Sequence, residues 1–342
     1  DEAERSLTFS TYIFDNDEWG ARFVSAFERA VDRGVEVRVL VDAAGLRYSF
    51  PSVLSRLRAA GVQTARFLPS LFPPHLMSIN LRNHRKIMVA DGKVGFTGGI
   101  NIRDAHVLDP EPDYPTQDIH FQVEGPVVAH LQEIFVDDWK FSTDEELRGD
   151  LWFPELEDVG QTFARGIPDG PDEDIEKLPW TLLGALSTAR DSVRIVTPYF
   201  LPDEALVAAL NTAALRGVEV DIILPSQSNL PYVQWAMYGQ MRPILERGCR
   251  IWLTPPPFDH SKAMIVDGKW SLIGSANWDP RSLRLNFEFN VECYDEKLAK
   301  DLEAWAIEKR DRAERMTLER YDNRSFPVTL RDSLARLAAP YL

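Results

Sequence analysis

One string is written twice in this chain. NHRKIMVADGKVGFTGGIN occupies residues 83–101, and DHSKAMIVDGKWSLIGSANWD occupies residues 259–279. Aligned from His84 and His260, the copies agree at His, Lys, Met, Asp, Gly, Lys, Gly and Asn without a gap. Internal repetition narrows the choice of fold more than composition does, because each copy must be served by the same supersecondary unit. The flanking sequence repeats as well: SLTFSTYIFDND, a helical run and RGVEVRVLVD in the first half, SVRIVTPYFLPDEALVAALNTAALRGVEVDIILP in the second. Phe23, Ala26, Phe27 and Ala30, like Leu206, Ala209, Leu210 and Ala213, recur at the spacing of a helix with one buried face. Gly34 and Gly217 then end the helices and β-branched strands follow. The order strand, helix, strand in both halves predicts an α/β sandwich built twice.

The boundaries predicted are a first repeat over 1–158 and a second over 159–342 ending in a helical tail, with an acidic, Pro- and Gly-rich linker at about 144–178. The second repeat has LPWTLLGALSTAR before its first strand, whereas the chain begins at Asp1 just before the corresponding one. The first repeat is therefore expected to be truncated at its N-terminus. At 342 residues with 44% hydrophobic and 27% charged residues, the composition is globular. A formal charge of −15 argues against a general nucleic-acid binder, which needs a broad basic surface, but leaves room for a small basic pocket. No window reaches the ~18 apolar residues of a membrane span, and no signal-peptide pattern is present. Cys249 and Cys293 lie in apolar, strand-like surroundings and are expected as reduced, buried thiols.

Asp91-Gly92 and Asp267-Gly268 sit between β-rich runs, a strong hairpin signal. Folding about those turns puts His84 opposite roughly Gly99 and His260 opposite roughly Ser275, with Asn101 and Asn277 beside the histidines. Side chains alternate along a strand, so His84 shares a face with Lys86, and His260 with Lys262. Each hairpin presents an imidazole, an ammonium and a carboxamide, which suits attack on a phosphoryl group and binding of its oxygens. Gly98-Gly99 and Gly274-Ser275 are read as giving the anion close access to the backbone. One hairpin is half a site. Two, related by pseudo-symmetry, place histidines on opposite sides of one phosphorus, one attacking and the other protonating the leaving alcohol.

A histidine in this role needs a partner to orient it. Asp118 in TQDIHFQV and Glu288 in LNFEFNVECY, each downstream of a string, are the predicted orienters. His120 is a candidate lining residue, while His75, His106 and His130 have no pattern that assigns them. Asp91 and Asp267 belong to the repeated motif, although their turn positions favour holding the hairpin over chemistry. No H-E-x-x-H or other close ligand cluster points to a metal. RFLPSLFPPHLMSINLRNH and NLPYVQWAMYGQM are read as apolar loops able to dip into a lipid interface, beside a basic rim of Arg82, Arg85 and Arg103.

The paired strings H-R-K-I-M-V-A-D…G-G-I-N and H-S-K-A-M-I-V-D…G-S-A-N resemble the two HKD motifs of the phospholipase D superfamily. Around them, YIFDND, TPYFLP, GSANWDPRSLRLNFEFN and the closing RLAAPYL are similar to bacterial cardiolipin synthases, and the likeness runs over nearly the whole chain. It implies a duplicated phospholipase D-like sandwich sharing one active site, and phosphatidyl transfer with neither metal nor nucleotide cofactor. A histidine attacks one phosphatidylglycerol, glycerol leaves, and a second phosphatidylglycerol, or phosphatidylethanolamine, takes the phosphatidyl group at the bacterial cytoplasmic membrane. Carried over, His84 is the nucleophile and His260 the acid and base, with Asp91 and Asp267 completing the motifs. Lys86, Lys262, Asn101 and Asn277 hold the phosphate, Ser275 assists, and Asp118 and Glu288 orient the histidines. The family's acidic residue after the second-repeat strand is absent here, where SQSNL places Asn229. A hydrolase of the same superfamily is the alternative, and a nuclease or an idle scaffold ranks below it.

Overall fold

The computed structural model describes residues 1–48, 50–68, 80–109 and 112–337. Its two main sheets repeat one design. In the first, strands run in the order Gln63–Phe67, Glu36–Asp42, Ser6–Thr11, Ile87–Ala90, Val94–Gly98, His120–Glu124. In the second, Arg250–Thr254, Glu219–Pro225, Ser192–Val196, Ala263–Val266, Trp270–Gly274 and Asn286–Tyr294 follow the same order, with Glu314–Met316 added at the outer edge. The first three strands of each series are parallel and the rest antiparallel. Registers correspond as well: Leu7 pairs with Ala90 as Val193 pairs with Val266, and the lone bridges Phe14–Ile102 and Phe200–Trp278 match.

Local chemistry explains the matching helices. Asp17 caps Glu18–Asp32 by accepting from the Gly20 amide, and Asp203 caps Glu204–Leu215 by accepting from Leu206. Val24, Phe27 and Ala30 of the first helix, and Leu206, Leu210 and Ala213 of the second, face a core on the outer side of their own sheet. A third core is shared. Ile87, Val89, Val128 and Leu131 from the first half pack with Ile223, Ile265, Phe289 and Ala299 from the second, so the halves close on each other through apolar burial.

The stretch 144–178 is more than a connector. Phe163–Asp169 lies antiparallel on Asn286–Tyr294, from Phe163 opposite Tyr294 to Asp169 opposite Glu288, because that strand otherwise presents an unpaired edge. NLPYVQWAMYGQM is likewise a helix, Pro231–Leu245, whose Val233, Ala236, Met237 and Met241 are buried. Proline at its first position accounts for the helical start. The other predicted interfacial loop falls largely in 69–79, and with it His75, outside the described residues. Cys249 and Cys293 are free and buried. No helix among the described residues is long and apolar enough to cross a membrane.

Candidate active site

Both hairpins carry a three-residue loop, Asp91–Lys93 in the first, so Ala90 pairs with Val94 and the register moves by one from the expected two-residue turn. Asp91 (φ 54°) and Gly92 (φ 65°), like Asp267 and Gly268, take the left-handed conformation this loop needs. The paired strands begin only at Ile87 and Ala263, so His84 and His260 precede them in extended segments.

What holds those segments is the other repeat. Arg82–Asn83 pairs in parallel with Asn286–Phe287, and the His84 amide donates to the Phe287 carbonyl at 2.9 Å. Phe258–Asp259 pairs in parallel with Thr116–Gln117, and the His260 amide donates to the Gln117 carbonyl at 2.7 Å. Each histidine thus stands beside the residue that follows its partner, and that residue is the other repeat's carboxylate. His84 Nδ1 lies 3.0 Å from the Glu288 carboxylate, and His260 Nδ1 lies 2.7 Å from Asp118 Oδ2. Pairing within a repeat, the simplest reading of a carboxylate downstream of each string, is not what the fold builds.

The two pairs differ in their supports. Glu288 is wholly buried and accepts from the hydroxyls of Ser275 (2.5 Å) and Ser282 (2.7 Å) and from the Asn286 amide (3.2 Å). Ser275, expected to assist at phosphate, is fully buried with its hydroxyl committed to Glu288. At the matching position of the first repeat, Gly99 leaves room for the shorter acid: a Cβ there would stand 2.2 Å from Asp118 Oδ1. These small residues make space for carboxylates rather than for an anion. Asp118 accepts in addition from the Ile119 amide, at 2.8 Å.

Charge follows from burial and these partners. Burial pushes Glu288 up, but His84, Lys86 and the Ser275 hydroxyl outweigh it and hold the acid below its usual range. Burial lowers His84 despite Glu288. The pair is therefore a neutral imidazole donating Nδ1–H to an ionised carboxylate, with a lone pair on Nε2. Burial raises Asp118 and, together with Lys262, Lys86 and His84, lowers His260 well below its ordinary value. Burial also brings Lys86 down to about 7 and Lys262 to about 8. Each ammonium donates to the carbonyl of its own histidine, Lys86 to His84 at 2.6 Å and Lys262 to His260.

Between the histidines lies a cavity of about 610 Å³ walled by both repeats, with His84, Asn101, His260 and Asn277 on its surface. Asn101 Oδ1 accepts from the Ile13 amide at 3.2 Å, whereas Asn277 Oδ1 is buried without a partner among the described residues. Tyr12 packs on His84 at 5.3 Å between ring centres and Tyr199 on His260 at 6.3 Å. Asn229 lies on the cavity wall and accepts from the Tyr199 hydroxyl at 2.6 Å. Arg47, Arg82, Arg103 and Arg281 make the wall basic. Arg85 is not among them: it is buried, donating to Asp138 at 2.6 Å and to the Glu288 carbonyl at 3.1 Å, and so steadies the strand that carries Glu288.

Asp91 and Asp267 stand apart from this site. Asp91 accepts from the amides of Glu4, Arg5 and Ser6, and Asp267 from those of Arg190, Asp191 and Ser192. They anchor the start of the neighbouring strand rather than the hairpin or a substrate. Asp91→Ala and Asp267→Ala are each expected to lower stability by about 1–2 kcal/mol while turnover of the folded protein persists. Denaturation midpoints measured beside turnover check this, and lost turnover at unchanged stability would return both to the catalytic set.

His106, left unassigned by pattern, is the residue that sequence reasoning missed. Its Nδ1 lies 4.0 Å from Asp118 Oδ2, its ring 5.9 Å from that of His260, and burial lowers it to about 3. No repeated position marks it, so no sequence signal was available. Among the described residues, His106, Asp118 and His260 are the one group near enough to share a metal ion, with ligand atoms within 4.8 Å. Asp118 is already engaged by His260, and Lys262 acts on it electrostatically. The trio is better explained as a His–Asp pair with a neutral imidazole beside it. His120 faces a different cavity, with Lys86, and His130 accepts from the Gly166 amide.

A family model described as "Cardiolipin synthase, PLD-like domain" matches residues 1–139 and 182–309. Cardiolipin synthase 2 of Staphylococcus epidermidis is 33% identical over 342 residues, covering 99% of this chain and 70% of that one. Cardiolipin synthase of Oceanobacillus iheyensis is 33% identical over 342 residues, covering 100% of this chain and 71% of that one. The crystal structure of phosphatidylserine synthase from Haemophilus influenzae aligns with a TM-score of 0.76 at 15% identity, over 100% of this chain and 91% of that one, a likeness of fold. Duplicated motifs, matching sheets and relatives that match nearly the whole of this chain agree: it is a member of the phospholipase D-like cardiolipin synthase family.

Proposed function

We propose that the chain moves a phosphatidyl group from one phosphatidylglycerol to the hydroxyl of a second, forming cardiolipin and glycerol through a covalent phosphohistidine. The observation that carries this reading is the pair of cross-repeat His–carboxylate couples facing one cavity. His84 Nε2 attacks phosphorus while the ionised Glu288, with its three side-chain donors, balances the charge that builds on the imidazole. A bound phosphodiester adds negative charge beside His260 and favours its protonated form, offsetting the depression by burial and the lysines. His260 then protonates the departing glycerol oxygen and afterwards takes the proton of the incoming alcohol. Lys86 and Lys262, bonded to the carbonyls of their histidines, act on the phosphoryl oxygens through their charge, with Asn101 and Asn277 as donors at the cavity wall.

Supplying the protein with labelled phosphatidylglycerol in mixed micelles tests the reading. Cardiolipin and free glycerol in equal amounts are expected. Phosphatidic acid without cardiolipin would replace the transferase by a phospholipase D-type hydrolase, in which water resolves the same intermediate.

A further inference from the structure

The C-terminal helix Phe326–Leu337 is amphipathic the wrong way round for a helix exposed to water. Its inward face centres on Asp332, which is 1% exposed and bound by Arg324 (2.6 Å) and Arg331 (2.7 Å). Its outward face carries Phe326, Leu330, Leu334 and Leu337, exposed by 77%, 47%, 59% and 76%. At 3.6 residues per turn these side chains fall within about 80° of arc, opposite the packed face. Burying a carboxylate while exposing three leucines and a phenylalanine is unfavourable in water, so the outer face is built for an apolar cover.

The place of the helix says what that cover is. It packs closely on Pro231–Leu245: a Cβ at Gly239 would stand 2.6 Å from the Asp332 carbonyl oxygen, and Arg331 lies 4.6 Å over the Trp235 ring. Gly239 is about 12 Å along that helix from Pro231, at 1.5 Å per residue, and Tyr232 and Val233 of the first turn line the catalytic cavity. Exposed aromatic side chains also stand on the cavity rim, Tyr48 and Tyr232, with Phe50 two residues beyond Tyr48. Arg331 is turned inward onto Asp332 and Trp235, but exposed Arg336 in the last turn stands beside the apolar stripe, where a long basic side chain reaches an anionic headgroup.

We propose that Phe326–Leu337 lies in the surface of a bilayer containing anionic phospholipid, with Phe326, Leu330, Leu334 and Leu337 among the acyl chains, and so seats the cavity mouth against the membrane. This rests on the reading of the substrate as a phospholipid and adds the segment that brings the protein to it. Flotation with phosphatidylglycerol–phosphatidylcholine vesicles tests it. Leu330→Glu and Leu334→Glu are each expected to lower partitioning by about tenfold or more, and a nitrobenzoxadiazole label on Phe326→Cys, the native Cys249 and Cys293 being buried, is expected to be quenched by lipids spin-labelled on the acyl chain. Thermal unfolding of each variant establishes that the fold is kept. Transfer measured in detergent micelles is expected to survive the glutamates, since the helix touches no reacting group.

Unchanged partitioning, or an unquenched label at position 326, overturns the proposal. So does conversion of a dimer to a monomer by the glutamates at constant partitioning, which would make a second copy of the chain the cover. Partitioning lost on schedule in a protein that transfers no phosphatidyl group would sustain the docking helix and remove the transferase reading instead.

Discussion

His84→Ala is expected to abolish cardiolipin formation, with a loss of about 10^4-fold or more, and His260→Ala to match it on phosphatidylglycerol. The two losses have different causes, and leaving-group chemistry separates them. His84 offers a neutral imidazole with its Nδ1 proton held by Glu288, so its removal takes away the bond-forming atom. His260 supplies a proton that glycerol needs and a good leaving group does not. With a phosphatidyl ester of p-nitrophenol, His260→Ala is therefore expected to release a burst of nitrophenol and to carry an acid-labile, alkali-stable adduct on His84, while His84→Ala releases none. Adduct on His260 in the His84 variant would reverse the roles, and full turnover in either variant would end the two-histidine mechanism. The double variant should be hardly worse than either single one, because the residues act as a unit.

Glu288→Gln is the second large effect: a loss of about 10^3–10^4-fold, by analogy with an orienting acid whose amide fixes the wrong tautomer. Glu288 belongs to the second repeat, yet the histidine it serves is His84 of the first, so the substitution should suppress adduct formation on His84 even with the nitrophenyl ester. Asp118→Asn acts on His260 and should slow glycerol release while sparing the burst. A merely structural role would lower the unfolding midpoint of both variants and leave the ratio between the two substrates unmoved. If Glu288→Gln instead spared the burst and Asp118→Asn removed it, pairing within each repeat would be the correct account.

The fold was open to reading from the residues because its signals are local and come twice. Asp17 and Asp203 cap equivalent helices, Gly34 and Gly217 end them, and alternating Val and Ile mark the strands that follow. Twofold agreement of this kind separates pattern from accident. Where local signals were weak the reading slipped. Phe163–Asp169, interrupted by Gly166 and Pro168, does not look like a strand, and becomes one because an edge of Asn286–Tyr294 stands open beside it. Arg85 has the sequence context of an exposed arginine, but Asp138, contributed by a distant helix, makes burial affordable. The hairpin register moved by one residue because Asp91 and Asp267 spend their carboxylates on a neighbouring strand and the loop extends to Lys93 and Lys269.

The residue types of the site, two imidazoles, two ammoniums and two carboxylates, are set by the linear order of the chain, because side chains two apart on an extended segment share a face whatever surrounds them. Who serves whom is not. That Glu288 belongs to His84 and Asp118 to His260 depends on two short parallel pairings, Asn83 with Phe287 and Asp259 with Gln117, that span more than a hundred residues and exist only when the halves close. Charge state is equally a property of closure. Burial pulls both ammoniums and both imidazoles toward neutrality, joined at Lys86 by the charge of Lys262 and at the imidazoles by that of both lysines. In the proposed transfer an anionic phosphate restores their charge, since desolvation and Coulomb attraction act on the assembled cavity and not on either string alone.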